Sequence, residues 1–419
     1  MDHFDYRNGV LHAEDIALPT LAEAVGTPLY VYSRATLTRH ARVFRDALSV
    51  LPRVKLAFAV KSNPNLAVLK VLAAEGYGAD VVSGGEMERA LAAGMKADGI
   101  VFSGVGKTHA ELARALEAGI GQFNLESEEE GLELAEIATA MGKTAQCVLR
   151  VNPDVDAGTH GKISTGKAEN KFGVPYDRAA AIYARLATTP GLAMRGLALH
   201  IGSQLSRLDP LEAAFTKIGV LMRAIRESGH AVTHIDFGGG VGVPYKAGDV
   251  FPQPEDYAAM VARVTEGWDV TAMFEPGRVI TGNTGVLMTR VVRVKEGVGA
   301  PWVVVDAAMN DLARPALYDA WHDFAAVVPE GATIEANIVG PICESSDTFA
   351  MGRTIDAVKR GDLAVFRTAG AYGATMANTY NSRPLVPEVM VDGDKWAVVA
   401  DRIEPATILA AERVPEWLA

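Results

Sequence analysis

The sequence predicts a (β/α)8 barrel followed by an all-β domain, with the first residues adding strands to that domain. Three observations carry this reading. Apolar, β-branched runs alternate with alanine-rich, charged helical patterns across residues 54–274, the signature of strands packed under exposed helices. The residues able to do chemistry gather at one end of those strands: Lys61, Asp80, Ser103, Arg150, His200, the glycines at 238–240 and Glu275 all lie at or just past strand C-termini. After about residue 280 strand-like runs continue but helical periodicity becomes sparse. A doubly wound open sheet would alternate in the same way. Chemistry collected at a single face is instead what the C-terminal end of a barrel provides.

The elements follow in order. Residues 4–10, with an Asn8-Gly9 turn, read as β structure. The barrel strands are expected at residues 54–60, 79–82, 99–105, 122–125, 146–151, 194–201, 232–237 and 270–274. Helical patterns fill the gaps at 66–75, 85–93, 110–118, 128–141, 178–187, 211–228 and 254–266. Gly, Ser or Asn at many strand ends supply caps and βα turns. Strands of the second domain are expected at 287–294, 302–305, 333–339, 362–366 and 396–400. The domains are then an N-terminal β segment over 1–30, a barrel over 31–278 and a β domain over 279–419. Residues 158–171, rich in Gly, Lys and Thr, follow the fifth strand and are expected to close over the site as a lid.

Bulk properties narrow the function. A chain of 419 residues exceeds one ordinary core. A net charge of -11 argues against non-specific nucleic-acid binding and against an anionic membrane surface. Two cysteines, Cys147 and Cys343, make no disulfide framework and point to a reducing compartment. Cys147, in an apolar run, reads as core. The acidic N-terminus lacks the apolar stretch of a signal peptide, no run is long enough to span a bilayer, and the nine histidines show no metal-ligand spacing. The expectation is a cytoplasmic protein with no metal, nucleic acid or membrane partner.

Lys61 ends the run Phe58-Ala59-Val60-Lys61-Ser62-Asn63-Pro64-Asn65. A lone lysine at a strand end is more often a surface residue, but a desolvated one loses proton affinity and becomes an amine nucleophile able to form a Schiff base. Gly238-Gly239-Gly240-Val241-Gly242 reads either as a tight turn or as a loop that lets backbone N–H groups approach a phosphate. His200-Ile201-Gly202-Ser203-Gln204 could stack an imidazole on a flat ring and offer Ser203 to phosphate. Glu275-Pro276-Gly277-Arg278 is either an exposed ion pair or a carboxylate facing a ring nitrogen, with Arg278 able to fork onto a carboxylate. Cys343-Glu344-Ser345-Ser346-Asp347 sets a thiol among carboxylates and hydroxyls, which suits a proton donor. In Gly370-Ala371-Tyr372-Gly373 small residues flank a tyrosine, as close approach to a ligand would require.

Together these runs, with residues 150–156, 163–166, 171–174 and 380–384, resemble the fold type III pyridoxal-phosphate enzymes, the alanine racemase and ornithine decarboxylase group, and within it the branch that decarboxylates diaminopimelate. Each run is modest, but the ordered set spans nearly the whole chain. Ala198 departs mildly, standing where many relatives carry a second histidine.

The resemblance implies roles. Lys61 holds pyridoxal 5'-phosphate, His200 stacks on the ring, and Glu275 pairs with the ring nitrogen. Ser203, Gly239, Gly240, Pro276, Gly277 and Arg278 surround the phosphate, with Tyr372 nearby. Asp80 and Arg150 orient Lys61, Glu275 or His200. Cys343 protonates the carbanion left by loss of CO2. Arg278, Arg314, Tyr318 and Tyr372 receive the distal carboxylate of the substrate and Glu344 its distal amine. The implied activity is decarboxylation of meso-2,6-diaminopimelate to L-lysine by a homodimer with shared sites. The alternatives are a decarboxylase of carboxynorspermidine, arginine, lysine or ornithine, or an amino-acid racemase; a racemase of this fold pairs the ring nitrogen with arginine, so Glu275 speaks for decarboxylation.

Overall fold

The computed structural model describes residues 2–156 and 170–418. The expected lid at 158–171 lies outside these residues except for Asn170 and Lys171. The chain divides into two compact units, each described by itself: a barrel unit of Thr38–Pro244 and Val250–Ile280, and a β unit of Met1–Leu37, Tyr245–Asp249 and Thr281–Ala419.

Eight parallel strands close the barrel: β1 (Val54–Ala59), β2 (Gly78–Val81), β3 (Ile100–Phe102), β4 (Gln122–Leu125), β5 (Ala145–Asn152), β6 (Leu192–Ala198), β7 (His234–Asp236) and β8 (Thr271–Phe274). Each pairs with its successor, and β8 returns to β1 through Ala272 beside Val54. The expected strands are all present, with β3 and β7 shorter than their apolar runs.

Side-chain caps start the helices on the C-terminal side of the strands. Ser83 accepts from the Glu86 N–H, Ser127 accepts from the Glu130 N–H, and Thr108 with Glu111 forms a full capping box. These caps fix the βα turns that carry the rim residues. Helix Arg34–Ala47 was not expected from the sequence, because its charged, polar character hides the stripe that carries Leu37, Ala41 and Phe44 into the core.

Between the helices and β7–β8 lies an aromatic layer. Phe237 meets Phe215 edge-on at 4.7 Å and stacks on Phe274 at 5.4 Å. Inside the barrel Ala57, Val101 and Met273 form an apolar cluster. Gln122 Nε2 reaches Met273 Sδ at 3.8 Å, and beyond it the interior becomes polar.

In the β unit, Phe4–Arg7 and Val10–Ala13 form a hairpin extended by Ile16–Ala17. Its turn needs positive φ at both central residues, and Asn8 and Gly9 supply it at 51° and 79°. This small sheet shares a core with the large one, through Phe4, Leu11, Val327, Val365 and Val389. The large sheet runs Thr348–Asp356, Thr333–Val339, Trp302–Val305, Gly285–Lys295, Leu29–Ser33, Glu388–Asp392 and Lys395–Ala400. Leu363–Phe366 pairs with Gly285–Lys295 and with Phe324–Ala326. No helix among the described residues is long and apolar enough to cross a membrane.

Because Phe237 is 1% exposed and touches three aromatic rings, Phe237→Ala is expected to destabilise the barrel by ~3–5 kcal/mol. A lowered urea midpoint is the measurement, and an unchanged midpoint would show that the layer can collapse around the cavity.

Candidate active site

The site is assembled from strand ends. Lys61 stands in a single 3-10 turn, Val60–Ser62, that follows β1 directly. The turn is closed by Asn63 N donating to Val60 O at 3.0 Å and by Ser62 Oγ donating to Ala59 O at 2.8 Å. Lys61 Nζ donates to Asp80 Oδ2 at 2.7 Å. Asp80 is fully buried, whereas the lysine side chain is 39% exposed. The amine is therefore ion-paired at an open rim, not desolvated at a buried strand end as the sequence suggests.

A cavity of about 480 Å³ opens at this rim, lined by Lys61, Ser103, Asn124, Arg150, His200, Asp236 and Glu275 among others. His200 follows β6, and its Nδ1 accepts from Gly239 N at 3.2 Å, which leaves the proton of a neutral ring on Nε2. Burial, then the Arg150 and Lys61 cations, hold the imidazole well below its ordinary value of 6.5. A neutral ring in the cavity wall can lie against a flat ligand without adding charge.

Glu275 follows β8. Its Oε1 accepts from Asn124 Nδ2 at 3.2 Å and lies 3.4 Å from Ser103 Oγ. Burial first, then the neighbouring Asp236 carboxylate, hold it well above the usual carboxylate range. Asp236 accepts from Gln122 Nε2 and Asn124 Nδ2, both at 3.1 Å, and burial pushes it up to about 6. Arg150 makes its ion pair with Glu126 at 2.7 Å and lies 4.8 Å over the Phe172 ring. Asp80 thus pairs with Lys61 and Arg150 with Glu126. Glu126 also accepts from Gly104 N at 3.1 Å and Gly173 N at 2.7 Å, tying three stretches of cavity wall together.

Asn124, Asp236 and Glu126 were missed in the sequence. The signal that could have found the first is the pair of amides in β4: Gln122 and Asn124 interrupt a buried strand and are 6% and 2% exposed.

The loops after β6, β7 and β8 interlock. A Cβ on Gly240, where φ is +110°, would lie 2.6 Å from Gly202 O, and one on Gly239 would lie 2.3 Å from Glu275 O. A Cβ on Gly277 would come within 3.1 Å of Ala59. Arg278 Nη2 lies 3.3 Å from Ser203 Oγ. The barrel unit thus brings together Lys61, Asp80, Arg150, His200, Ser203, Gly239, Gly240, Glu275, Pro276, Gly277 and Arg278.

The remaining expected residues belong to the β unit. Arg314 opens the short helix Arg314–Tyr318, with half-buried Tyr318 at its end. Its Nη1 donates to His322 Nε2 at 2.8 Å and its guanidinium lies 4.6 Å over the Tyr245 ring. Cys343 is exposed, and its backbone N–H donates to Asn381 Oδ1 at 3.0 Å. Hydrogen bonds from Ser346 and then Tyr380 hold Glu344 below the usual carboxylate range. Buried Asp347 anchors this loop, accepting from Ile342 N and Met309 N, both at 2.7 Å. Tyr372 takes a left-handed φ of 55°, a conformation non-glycine residues rarely hold without a reason.

Comparison with known proteins agrees with this chemistry. The family "Pyridoxal-dependent decarboxylase, pyridoxal binding domain" matches residues 34–282. The diaminopimelate decarboxylase of Zymomonas mobilis subsp. mobilis is 52% identical over 420 residues, covering 99% of this chain and 99% of that one. The crystal structure of the Helicobacter pylori diaminopimelate decarboxylase complexed with L-lysine superposes with a TM-score of 0.90 at 36% identity, covering 94% and 98% of the two chains. That of M. jannaschii in complex with L-lysine superposes at 0.94 with 33% identity, covering 100% and 99%. The residues present fit pyridoxal phosphate: an amine for its aldehyde, a proton-holding carboxyl for its ring nitrogen, a neutral imidazole for its face and a glycine cradle with Ser203 and Arg278 for its phosphate.

A histidine held neutral in the fold but protonated near 6.5 when unfolded makes the unfolded chain bind more protons in acid, so stability present at neutral pH is lost as pH falls. Without cofactor, His200→Gln is expected to lose less of its urea midpoint than the wild type between neutral and mildly acidic pH. Parallel losses would remove His200 from the acid sensitivity.

Proposed function

The chain belongs to the diaminopimelate decarboxylases of the pyridoxal-dependent decarboxylase family, and from that premise we propose that it converts meso-2,6-diaminopimelate to L-lysine and CO2. One observation carries the reading: Lys61, His200 and Glu275 line a single cavity at the barrel rim. The L-lysine bound to the Helicobacter pylori and M. jannaschii relatives supports the product.

Pyridoxal phosphate, when bound, supplies an electron sink for the pair released as a Cα–carboxylate bond breaks. The chain's residues do the rest. Lys61 Nζ, now paired with Asp80, would hold the cofactor through its aldehyde carbon. Glu275 faces the ring nitrogen and keeps a proton there. His200 covers one ring face and excludes water from it. Ser203, Gly239, Gly240, Pro276, Gly277 and Arg278 grip the phosphate, with Tyr372 completing its surroundings. The Cys343 thiol delivers a proton to Cα after CO2 has left. Arg314, Arg278 and Tyr318 bind the distal carboxylate, and Glu344, kept ionised by Ser346 and Tyr380, binds the distal ammonium. Arg314 suits that task because a guanidinium is permanently charged and forks onto a carboxylate.

We place the protein in the cytoplasm and read it as a homodimer, each barrel site being completed by Cys343 of the partner subunit and Glu344 of the partner subunit. The exposure of the Cys343 loop supports this reading.

The test is CO2 release from meso-diaminopimelate, with ornithine, arginine, lysine and carboxynorspermidine run beside it. Release from diaminopimelate alone is expected. Release from another acid would discard the distal pocket, and racemisation without release would discard the reaction. Cys343→Ala is expected to keep the visible absorbance of the bound cofactor while losing most turnover, at least ~100-fold. Full turnover in that variant would remove the thiol from the mechanism.

A further inference from the structure

Asp236 ends β7 inside the barrel and is 1% exposed. Its surroundings are N–H donors. Gln122 Nε2 and Asn124 Nδ2 each donate to Oδ2 at 3.1 Å, and Gly238 N donates to Oδ1 at 3.0 Å. Three donated hydrogens favour the carboxylate over the acid. Asn124 Nδ2 also lies 3.2 Å from Glu275 Oε1, so one amide spans the two carboxyls. Two carboxyls that share one amide donor in a buried site repel each other, and one of them keeps its proton. Asp236 holds the better donors, since among the described residues Glu275 has the shared Asn124 amide and a Ser103 hydroxyl at 3.4 Å. The single proton of the pair therefore sits on Glu275.

We propose that Asp236 is a positioning residue acting through Glu275: it pins one proton on the Glu275 carboxyl, which passes to the ring nitrogen of pyridoxal phosphate when the cofactor binds. This rests on the reading that Glu275 faces that nitrogen. The transfer balances within the site. The Glu275 O–H bond breaks, an N–H bond forms on the lone pair of the ring nitrogen, and two carboxylates remain beside the new cation. No electron is exchanged and no proton is drawn from solvent. The second negative charge, on Asp236, then sustains the protonated ring. The other groups facing the pair are Lys61 from the turn after β1, Asp80 from β2 and Tyr257 from helix Pro254–Val264. Arg150 from β5 and His200 after β6 line the same cavity.

Infrared difference spectroscopy on the full chain at neutral pH, before and after addition of pyridoxal phosphate, tests this. The cofactor-free wild type is expected to show the C=O stretch of one protonated carboxylic acid, which disappears on loading. Glu275→Gln should lack the band, assigning it. Asp236→Asn should lack it too, because the new amide donates to Glu275 and lets it ionise, an effect that a purely structural role would not produce. A wild type without the band, a band that persists after loading, or an unaltered band in Asp236→Asn would each overturn the proposal. The wild-type spectra decide if Asp236→Asn fails to fold. None of these readouts requires turnover, so a chain that shows the band yet releases no CO2 from diaminopimelate keeps the proton pair and loses only its substrate.

Discussion

Placing ionised groups at the rim of a barrel, partly out of water, is costly unless each finds a partner, and the candidate site is organised around meeting that cost. Asp80 is met by Lys61, Glu126 by Arg150 and two backbone N–H groups, and Asp236 by two side-chain amides and Gly238 N. Each pairing joins different strands, so satisfying the charges also fixes the wall of the cavity. Glu126 is the clearest case. One carboxylate on the turn after β4 sets Arg150 of β5, the loop after β3 at Gly104 and the segment at Gly173.

The opposite side of the rim is held by close packing instead of charge. The loops after β6, β7 and β8 approach so tightly that Gly239 and Gly240 leave no room for a Cβ, and Gly277 packs closely on Ala59 and Ser62. The same closeness that explains these glycines as packing also brings Ser203 and Arg278 to one spot.

Much of this was legible in the sequence. The barrel was readable because most of its strands appear as largely apolar runs that alternate with helical patterns. Lys61, His200 and Glu275 were readable because each sits beside a turn that breaks such a run. Asp236 and Glu126 were not, because a lone polar residue inside a strand or turn gives no local pattern and its partners are distant in the chain. Strand Thr348–Asp356 escaped because Gly352, at a φ of 54°, bends it away from regular alternation. The desolvation expected of Lys61 failed for a related reason: its exposure is decided by where the neighbouring strands stop, which local sequence does not encode.

Leu29–Ser33 is buried along its whole length in the β unit, between Gly285–Lys295 and Glu388–Asp392. It emerges from the ribosome early, but both of its neighbours in the sheet are made only after the entire barrel. A five-residue apolar strand with two open hydrogen-bonding edges must therefore wait through the synthesis of most of the chain, the period in which such edges recruit unintended partners. The barrel, whose strands pair in order of appearance, can close as it is made. The β unit cannot, and its assembly depends on the last translated strands reaching back to the first.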